Sequence, residues 1–142
     1  MAKPLRPELF YMDTSAMIAL LVRDDPEHER ALSFFRDAVR EGSVFVIGRP
    51  TLMEFLNGVA KHVGKGVAEE QYRLYTASRF IFTEKETEAD WERAWELFFK
   101  YRDQRGIDLF DSLAFAIMER LGIRKAFTFD SDFAVHGFVM VP

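Results

Sequence analysis

Apolar residues in this chain fall into two kinds of stretch. Short continuous runs, bounded by polar residues or glycine, occupy residues 9–12, 43–47, 80–82, 126–129 and 138–141. Runs of this kind, rich in β-branched and aromatic residues, read as buried strands. Between them the apolar positions follow a helical rhythm. A short helix is predicted over residues 16–22. Asp24-Asp25-Pro26 opens the next, with Asp25 as N-cap and Pro26 at the first helical position. Its apolar face is Ala31, Leu32, Phe34, Phe35, Ala38 and Val39, and Gly42 ends it. Pro50-Thr51 opens a third helix carrying Leu52, Phe55, Leu56, Val59, Ala60 and Val63. Gly64-Lys65-Gly66 breaks that helix, and another covers about residues 67–78. Thr87 and Asp90 have capping-box spacing ahead of Trp91, Ala94, Trp95, Phe98 and Phe99, whose spacing predicts that both tryptophans are core. A last helix runs from about 109 to 121 and stops at Gly122.

Strands separated by helices imply right-handed crossovers and a mostly parallel sheet. The expected fold is α/β: one domain over residues 1–142, its core about 9–141, with a five-stranded sheet flanked by helices. No repeat, linker or low-complexity segment interrupts it.

Composition narrows the chemistry. With 142 residues the chain can bury a real core. It has no cysteine, which excludes disulfides, zinc–thiolate sites and thiol catalysis. Its N-terminus lacks the apolar stretch of a signal peptide, and no apolar run is long enough to span a membrane. A cytoplasmic location is therefore expected. A net charge of −4 argues against a surface coated with phosphate-binding lysines, but allows a nucleic acid held by metal and a few arginines.

Four acids stand where such a fold would gather them. Asp13 follows the first strand and Asp130 follows the fourth; Glu54 and Asp111 lie near the starts of helices. Ligands of open α/β sheets bind beyond the carboxyl ends of the strands. Carboxylates collected there repel one another unless a cation neutralises them, and hard ions such as Mg²⁺ or Mn²⁺ favour oxygen ligands. Each acid also has a structural explanation. Asp13 suits an Asx turn or N-cap, Glu54 a capping box begun by Thr51, Asp111 the third position of a helix capped by Asp108, and Asp130 a polar turn with Ser131 and Asp132.

Other patterns fail. Gly58 to Gly66 lacks Walker A spacing, and Lys65 is followed by glycine rather than Ser or Thr. Asp130-Ser131-Asp132 lacks the later ligands of an EF-hand loop. His28, His62 and His136 show no metal spacing and are expected at the surface or at helix ends.

Four blocks together resemble a known family. Residues 13–21 (Asp-Thr-Ser-Ala-Met-Ile-Ala-Leu-Leu), 50–57 (Pro-Thr-Leu-Met-Glu-Phe-Leu-Asn), 108–116 (Asp-Leu-Phe-Asp-Ser-Leu-Ala-Phe-Ala) and 128–133 (Thr-Phe-Asp-Ser-Asp-Phe) look like the acidic blocks of PIN-domain ribonucleases, in order and spacing. Length and the segment 26–31 suit the VapC-like toxin branch. The resemblance implies a Mg²⁺- or Mn²⁺-dependent endoribonuclease, often the toxin of a type II toxin–antitoxin pair, working as a homodimer with a VapB-like antitoxin. Asp13, Glu54, Asp111 and Asp130 would be the catalytic metal ligands, with Asp130 favoured over Asp132 as the direct one. Metal so held would activate water for in-line attack on a backbone phosphorus. Thr14, Ser15, Asp108, Thr128 and Asp132 are candidates to orient the ligands. Arg49, Lys61, Arg102 and Arg105 are candidates for phosphate contacts. An antitoxin would wrap the helices around Phe34, Phe35, Phe55 and Leu56 and place a cation among the acids. Three alternatives stand beside this: a PIN-domain ribonuclease that is not a toxin, a non-catalytic interaction module, and a phosphotransfer receiver. The receiver would need paired acids at the first strand end, a central strand-end aspartate and a late strand-end lysine; here only Asp13 ends the first strand, and Ile47-Gly48 ends the second without an acid.

Overall fold

The computed structural model describes residues 6–142; residues 1–5, part of the N-terminus read above for a signal peptide, lie outside the described residues. Five strands, β1 (Leu9–Met12), β2 (Val44–Gly48), β3 (Ile81–Glu84), β4 (Lys125–Phe127) and β5 (Val139–Val141), form one sheet in the order β3-β2-β1-β4-β5. Every neighbouring pair is parallel. The described residues form seven helices: α1 (Thr14–Leu21), α2 (His28–Arg40), α3 (Arg49–His62), α4 (Lys65–Ala77), α5 (Glu88–Lys100), α6 (Leu109–Leu121) and the short α7 (Asp132–Val135). None is long and apolar enough to cross a membrane.

The central strand is apolar on both faces because helices cover both. Phe10 and Met12 enter one core with Met17, Phe45, Phe55 and Phe127, against α1 to α4. Tyr11 enters the other with Leu97, Leu113, Phe115 and Phe133, against α5, α6 and α7. Phe35 of α2 stacks on Phe45, and Phe34 meets both Phe45 and Phe127 edge-on. Phe55 is buried, and Phe34, Phe35 and Leu56 pack against the same core. Phe55 is thus core, while Phe34, Phe35 and Leu56 are half-buried, each with one side on the core and the other toward the surface.

Several local expectations change. Helix α2 begins at His28, because Asp25 accepts the Glu27 N–H and its carbonyl accepts that of His28, making a separate turn. Thr51 does not cap α3; Gly48 precedes that helix, and Thr51 is buried inside it. Gly66 lies within α4, while Gly64 makes the break at φ 125°. Strand β4 stops at Phe127: the Thr128 N–H still meets the Val141 carbonyl, but those of Phe129 and Asp130 turn to the Ser15 and Thr128 hydroxyls. Trp91 and Trp95 are 37% and 45% exposed. On α5 the inward stripe is Asp90, Ala94 and Leu97, while Trp91, Trp95 and Phe99 form a second apolar stripe facing out. His136 stands at a helix end, as the C-cap of α7, with its ring stacked on Phe115, Tyr101 at Nδ1 and Glu119 at Nε2. The capping box of Thr87 and Asp90 forms as predicted.

One buried hydroxyl fixes α3 against β1. Helix α3 has no side-chain cap, and the Gly48 N–H instead donates to Tyr11 Oη at 3.2 Å. The same hydroxyl shares a 2.7 Å hydrogen bond with Thr51 Oγ1. A Cβ on Gly48 would stand 2.5 Å from that oxygen, so the close approach requires glycine. Tyr11→Phe should leave the Thr51 hydroxyl and the Gly48 N–H without this partner and cost about 1–3 kcal/mol. Denaturant unfolding checks this; a midpoint equal to that of the parent chain would show that the hydroxyl contributes nothing.

Candidate active site

Chain connections run from β1 outward to β2 on one side and reach β4 on the other, so the strand order reverses beside β1. A crevice forms at such a switch point, beyond the carboxyl ends of the strands. Asp13 leaves β1 into this crevice and caps α1. Its Oδ2 accepts hydrogen bonds from Thr128 Oγ1 at 2.9 Å and Ser15 Oγ at 3.0 Å, with the Ser15 N–H at 3.4 Å. Both hydroxyls accept in turn from main-chain N–H groups: Thr128 from Asp130, and Ser15 from Phe129. The loop after β4 is thereby laced to β1 through the site.

Glu54 arrives from α3, just past its first turn, and accepts from Thr14 Oγ1 at 3.1 Å. Asp111 sits in the first turn of α6 within a reciprocal capping box. Asp108 Oδ1 accepts the Asp111 N–H at 2.8 Å, and Asp111 Oδ2 accepts the Asp108 N–H at 3.1 Å. Asp130 Oδ1 accepts the Asp132 N–H at 2.9 Å at the start of α7. Asp111, Asp130 and Asp132 each offer a carboxylate oxygen within 4.8 Å of the others. All three are half-buried, and a set of oxygen donors alone suits a hard divalent ion.

The electrostatics are those of crowded like charges. Burial pushes the Asp111 carboxyl up to about 8, helped by the charges of Asp108, Asp13 and Asp130 and opposed by its bond to the Asp108 N–H. Burial also raises Asp13, against the lowering effect of Thr128 and Ser15. Glu54 is raised by burial and by Asp108 and Asp13, with Thr14 opposing. Asp132 is raised by burial, Asp130 and Asp108. Among the described residues none of Asp13, Glu54, Asp111, Asp130 and Asp132 has a salt-bridge partner.

Sequence reasoning identified all of these acids, but weighted them differently. Asp132 shares the close cluster with Asp130, while Asp13 sits deeper, tied up by hydroxyls. Nothing in the sequence marked α7, a single turn held by buried Phe133. Of the basic candidates, Arg49 pairs with Glu86. Lys61 is seven residues beyond Glu54, roughly 10 Å along the helix and away from the strand ends. Arg102 is exposed and donates to the Phe99 carbonyl. Arg105 is exposed next to Gly106, beside Asp132. Next to the acids, a cavity of about 980 Å³ is lined by Glu54, Arg49, Met53, Asn57, Trp91 and Phe110, among others.

Comparison with known proteins agrees with this architecture. The PIN domain family model matches residues 10–139. A curated relative, the 23S rRNA-specific endonuclease VapC20 of Mycobacterium tuberculosis, is 32% identical over 135 residues, covering 94% of this chain and 98% of that one. The crystal structure of Mycobacterium tuberculosis VapC20, described as a sarcin-ricin loop cleaving toxin, superposes with a TM-score of 0.81 at 25% identity, covering 92% of this chain and 96% of that chain. The VapBC2 structure from Rickettsia felis, bound to a DNA fragment from its promoter, gives a TM-score of 0.68 at 12% identity, covering 94% of this chain and 97% of that chain. FitAcB from Neisseria gonorrhoeae gives 0.67 at 15%, covering 94% of this chain and 96% of that chain. These last two share the fold. With the family model spanning nearly the whole sheet and its helices, the chain belongs to the PIN-domain family.

Proposed function

We propose that this protein is a divalent-metal-dependent endoribonuclease and the toxin of a VapBC-type pair. The observation that carries the reading is the gathering of Asp111, Asp130 and Asp132 oxygens within 4.8 Å, at the sheet edge where Asp13 and Glu54 also point their charge. Similarity to VapC20, named as an rRNA endonuclease, supports RNA as the substrate. An RNA substrate also fits the cytoplasmic location expected from the sequence.

The donor set suits Mg²⁺ or Mn²⁺, with Asp111, Asp130 and Asp132 as direct ligands and Asp13 and Glu54 as charge that strengthens the site. A bound divalent cation supplies Lewis acidity, which acidifies water and offsets negative charge building on the scissile phosphate. The chain's own residues do the positioning. The capping box fixes Asp111, and the Asp130–Asp132 turn presents two carboxylates from one strand end. Ser15 and Thr128 hold Asp13 in its rotamer, and Thr14 steers Glu54. Arg105 is the basic residue best placed for a phosphate contact near Asp132; Arg49 would first have to leave Glu86.

Two partners complete the reading. The outward stripe of Trp91, Trp95 and Phe99, continuing to the cavity lined by Met53 and Phe110, is an apolar face suited to a second copy of this chain. With Phe55 buried, an antitoxin segment fits better in the groove of about 330 Å³ lined by Leu20, Leu21, Leu32, Phe35, Leu74 and Tyr75, among others, between α1, α2 and α4. From there a basic side chain would reach the acids.

Asp13→Asn, Asp111→Asn and Glu54→Gln should each lower Mn²⁺-dependent RNA cleavage by about 10²-fold or more. Glu54 caps nothing, and Gln keeps an acceptor for Thr14 while removing a crowded charge, so Glu54→Gln should leave the metal-free unfolding midpoint equal or slightly higher. Cleavage near the parent rate by the Asp111 variant would sink the assignment.

Metal uptake should depend on pH, because a ligating carboxylate must lose its proton. With Asp111 raised to about 8, Mn²⁺ affinity should climb as pH rises toward that value, with proton release detectable by calorimetry in buffers of different ionisation enthalpy. The sign reverses for the metal-free protein. A carboxyl raised on folding stabilises below its unfolded pKa and loses that contribution as pH rises through the folded value. The metal-free unfolding temperature should therefore fall between about pH 4 and 8, and Asp111→Asn should flatten the decline.

A mass measurement checks both partners. The chain alone should scatter as twice its 16.5 kDa, and Trp95→Glu as a single copy. Co-expressed with the product of the neighbouring reading frame, it should acquire a second, smaller chain and lose ribonuclease activity. Separate elution with activity intact would leave a ribonuclease that is not a toxin.

A further inference from the structure

Asp132 reaches the acid cluster from α7, and its carboxylate rests against the main chain of Gly106. A Cβ added to Gly106 would stand 2.7 Å from Asp132 Oδ2 and 3.4 Å from both Cγ and Oδ1. The first distance is closer than real Cβ atoms approach any heavy atom. The carboxylate thus occupies the space where any other residue would carry its side chain.

The backbone does not itself require glycine there. The positive-φ glycines are Gly42, Gly64, Gly122 and Gly137, and Gly106 is not among them. Gly106 is also exposed, so no core packing selects a small residue. What remains is the contact with Asp132. The segment that provides this seat continues directly into the buried Ile107 and into Asp108, whose capping box fixes Asp111. One short stretch of chain therefore sets two of the three clustered carboxylates, Asp111 through a helix cap and Asp132 through a missing side chain. Asp130 sets the same residue from the other side by accepting its N–H.

We propose that Gly106 is a positioning residue of the metal site: by lacking a side chain it seats the Asp132 carboxylate beside Asp111 and Asp130 as an oxygen donor to the divalent ion. This rests on reading the cluster as a metal site. A carboxylate is the far end of a rotatable side chain, so a methyl group at position 106 would swing Asp132 out of the cluster and leave the fold intact.

The test uses Gly106→Ala, Asp132→Ala and the double variant in the full chain, with Mn²⁺ affinity by titration calorimetry and unfolding temperature without metal. Gly106→Ala should bind Mn²⁺ more weakly by roughly 10- to 100-fold, the range for residues that orient a ligand. Its metal-free midpoint should be equal or slightly higher, since alanine restricts the unfolded chain more than glycine does. Asp132→Ala should weaken binding as well, and adding Gly106→Ala to it should cost nothing further. Parent-like Mn²⁺ affinity in Gly106→Ala, alongside weak binding by Asp132→Ala, overturns the role of Gly106 and leaves the metal site standing. An equal loss from Gly106→Ala in both backgrounds overturns it too, because the effect would not act through Asp132. Absence of Mn²⁺ uptake by the parent chain overturns the metal reading itself and the seat with it. Should Gly106→Ala fail to fold, the double variant, which empties the contested space, should fold; its failure overturns the proposal.

Discussion

Mutual repulsion among carboxylates is the constraint around which the rest of the crevice is arranged. Asp13 is almost completely buried beside other acids, a position that charge alone would disfavour. It is held by a relay of donors. The Asp130 and Phe129 N–H groups bond to the Thr128 and Ser15 hydroxyls, each of which then turns its single proton toward Asp13. Main-chain polarity from the loop after β4 is thus delivered to a carboxylate at the end of β1. That relay explains why β4 is so short: the residues that would lengthen it supply these donors instead.

Helix capping and the acidic crevice share the same side chains. Asp13 is the N-cap of α1, and Asp111 closes the box with Asp108 at the start of α6. An N-cap spends a carboxylate oxygen on a main-chain N–H and fixes the rotamer. In Asp111 one oxygen accepts the Asp108 N–H while the same carboxylate also joins the cluster. The helix ends also present positive potential toward the crevice, which tempers the crowding.

The sheet, its order of elements and the identity of the acids were legible in the sequence, because strand runs and helical stripes are local patterns. Where the pattern ran out, the reason was tertiary. Trp91 and Trp95 keep the same spacing as a core stripe, and periodicity does not say which of two apolar stripes on one helix faces in. Thr51 and Glu54 fit a capping box in sequence, but the Tyr11 hydroxyl took the place of the cap and moved the helix start back to Arg49. The fit between Gly106 and Asp132 joins residues with no pattern between them. His136 falls at a helix end as expected, but its stacking on Phe115 and its contacts with Tyr101 and Glu119 come from residues distant in sequence.

The pairing of Asp13 with Thr128 spans 115 residues. Chain topology therefore divides the acids unevenly: Asp13 and Glu54 precede α5, while Asp111, Asp130 and Asp132 follow it. A cut in the exposed connection between α5 and α6 would leave neither piece with the complete set, although each would keep an apolar sheet face needing the other. The acidic crevice is in this sense a property of closure. It belongs to the chain only once its most distant parts have met, and a partly folded or nicked molecule carries the acids without gathering them.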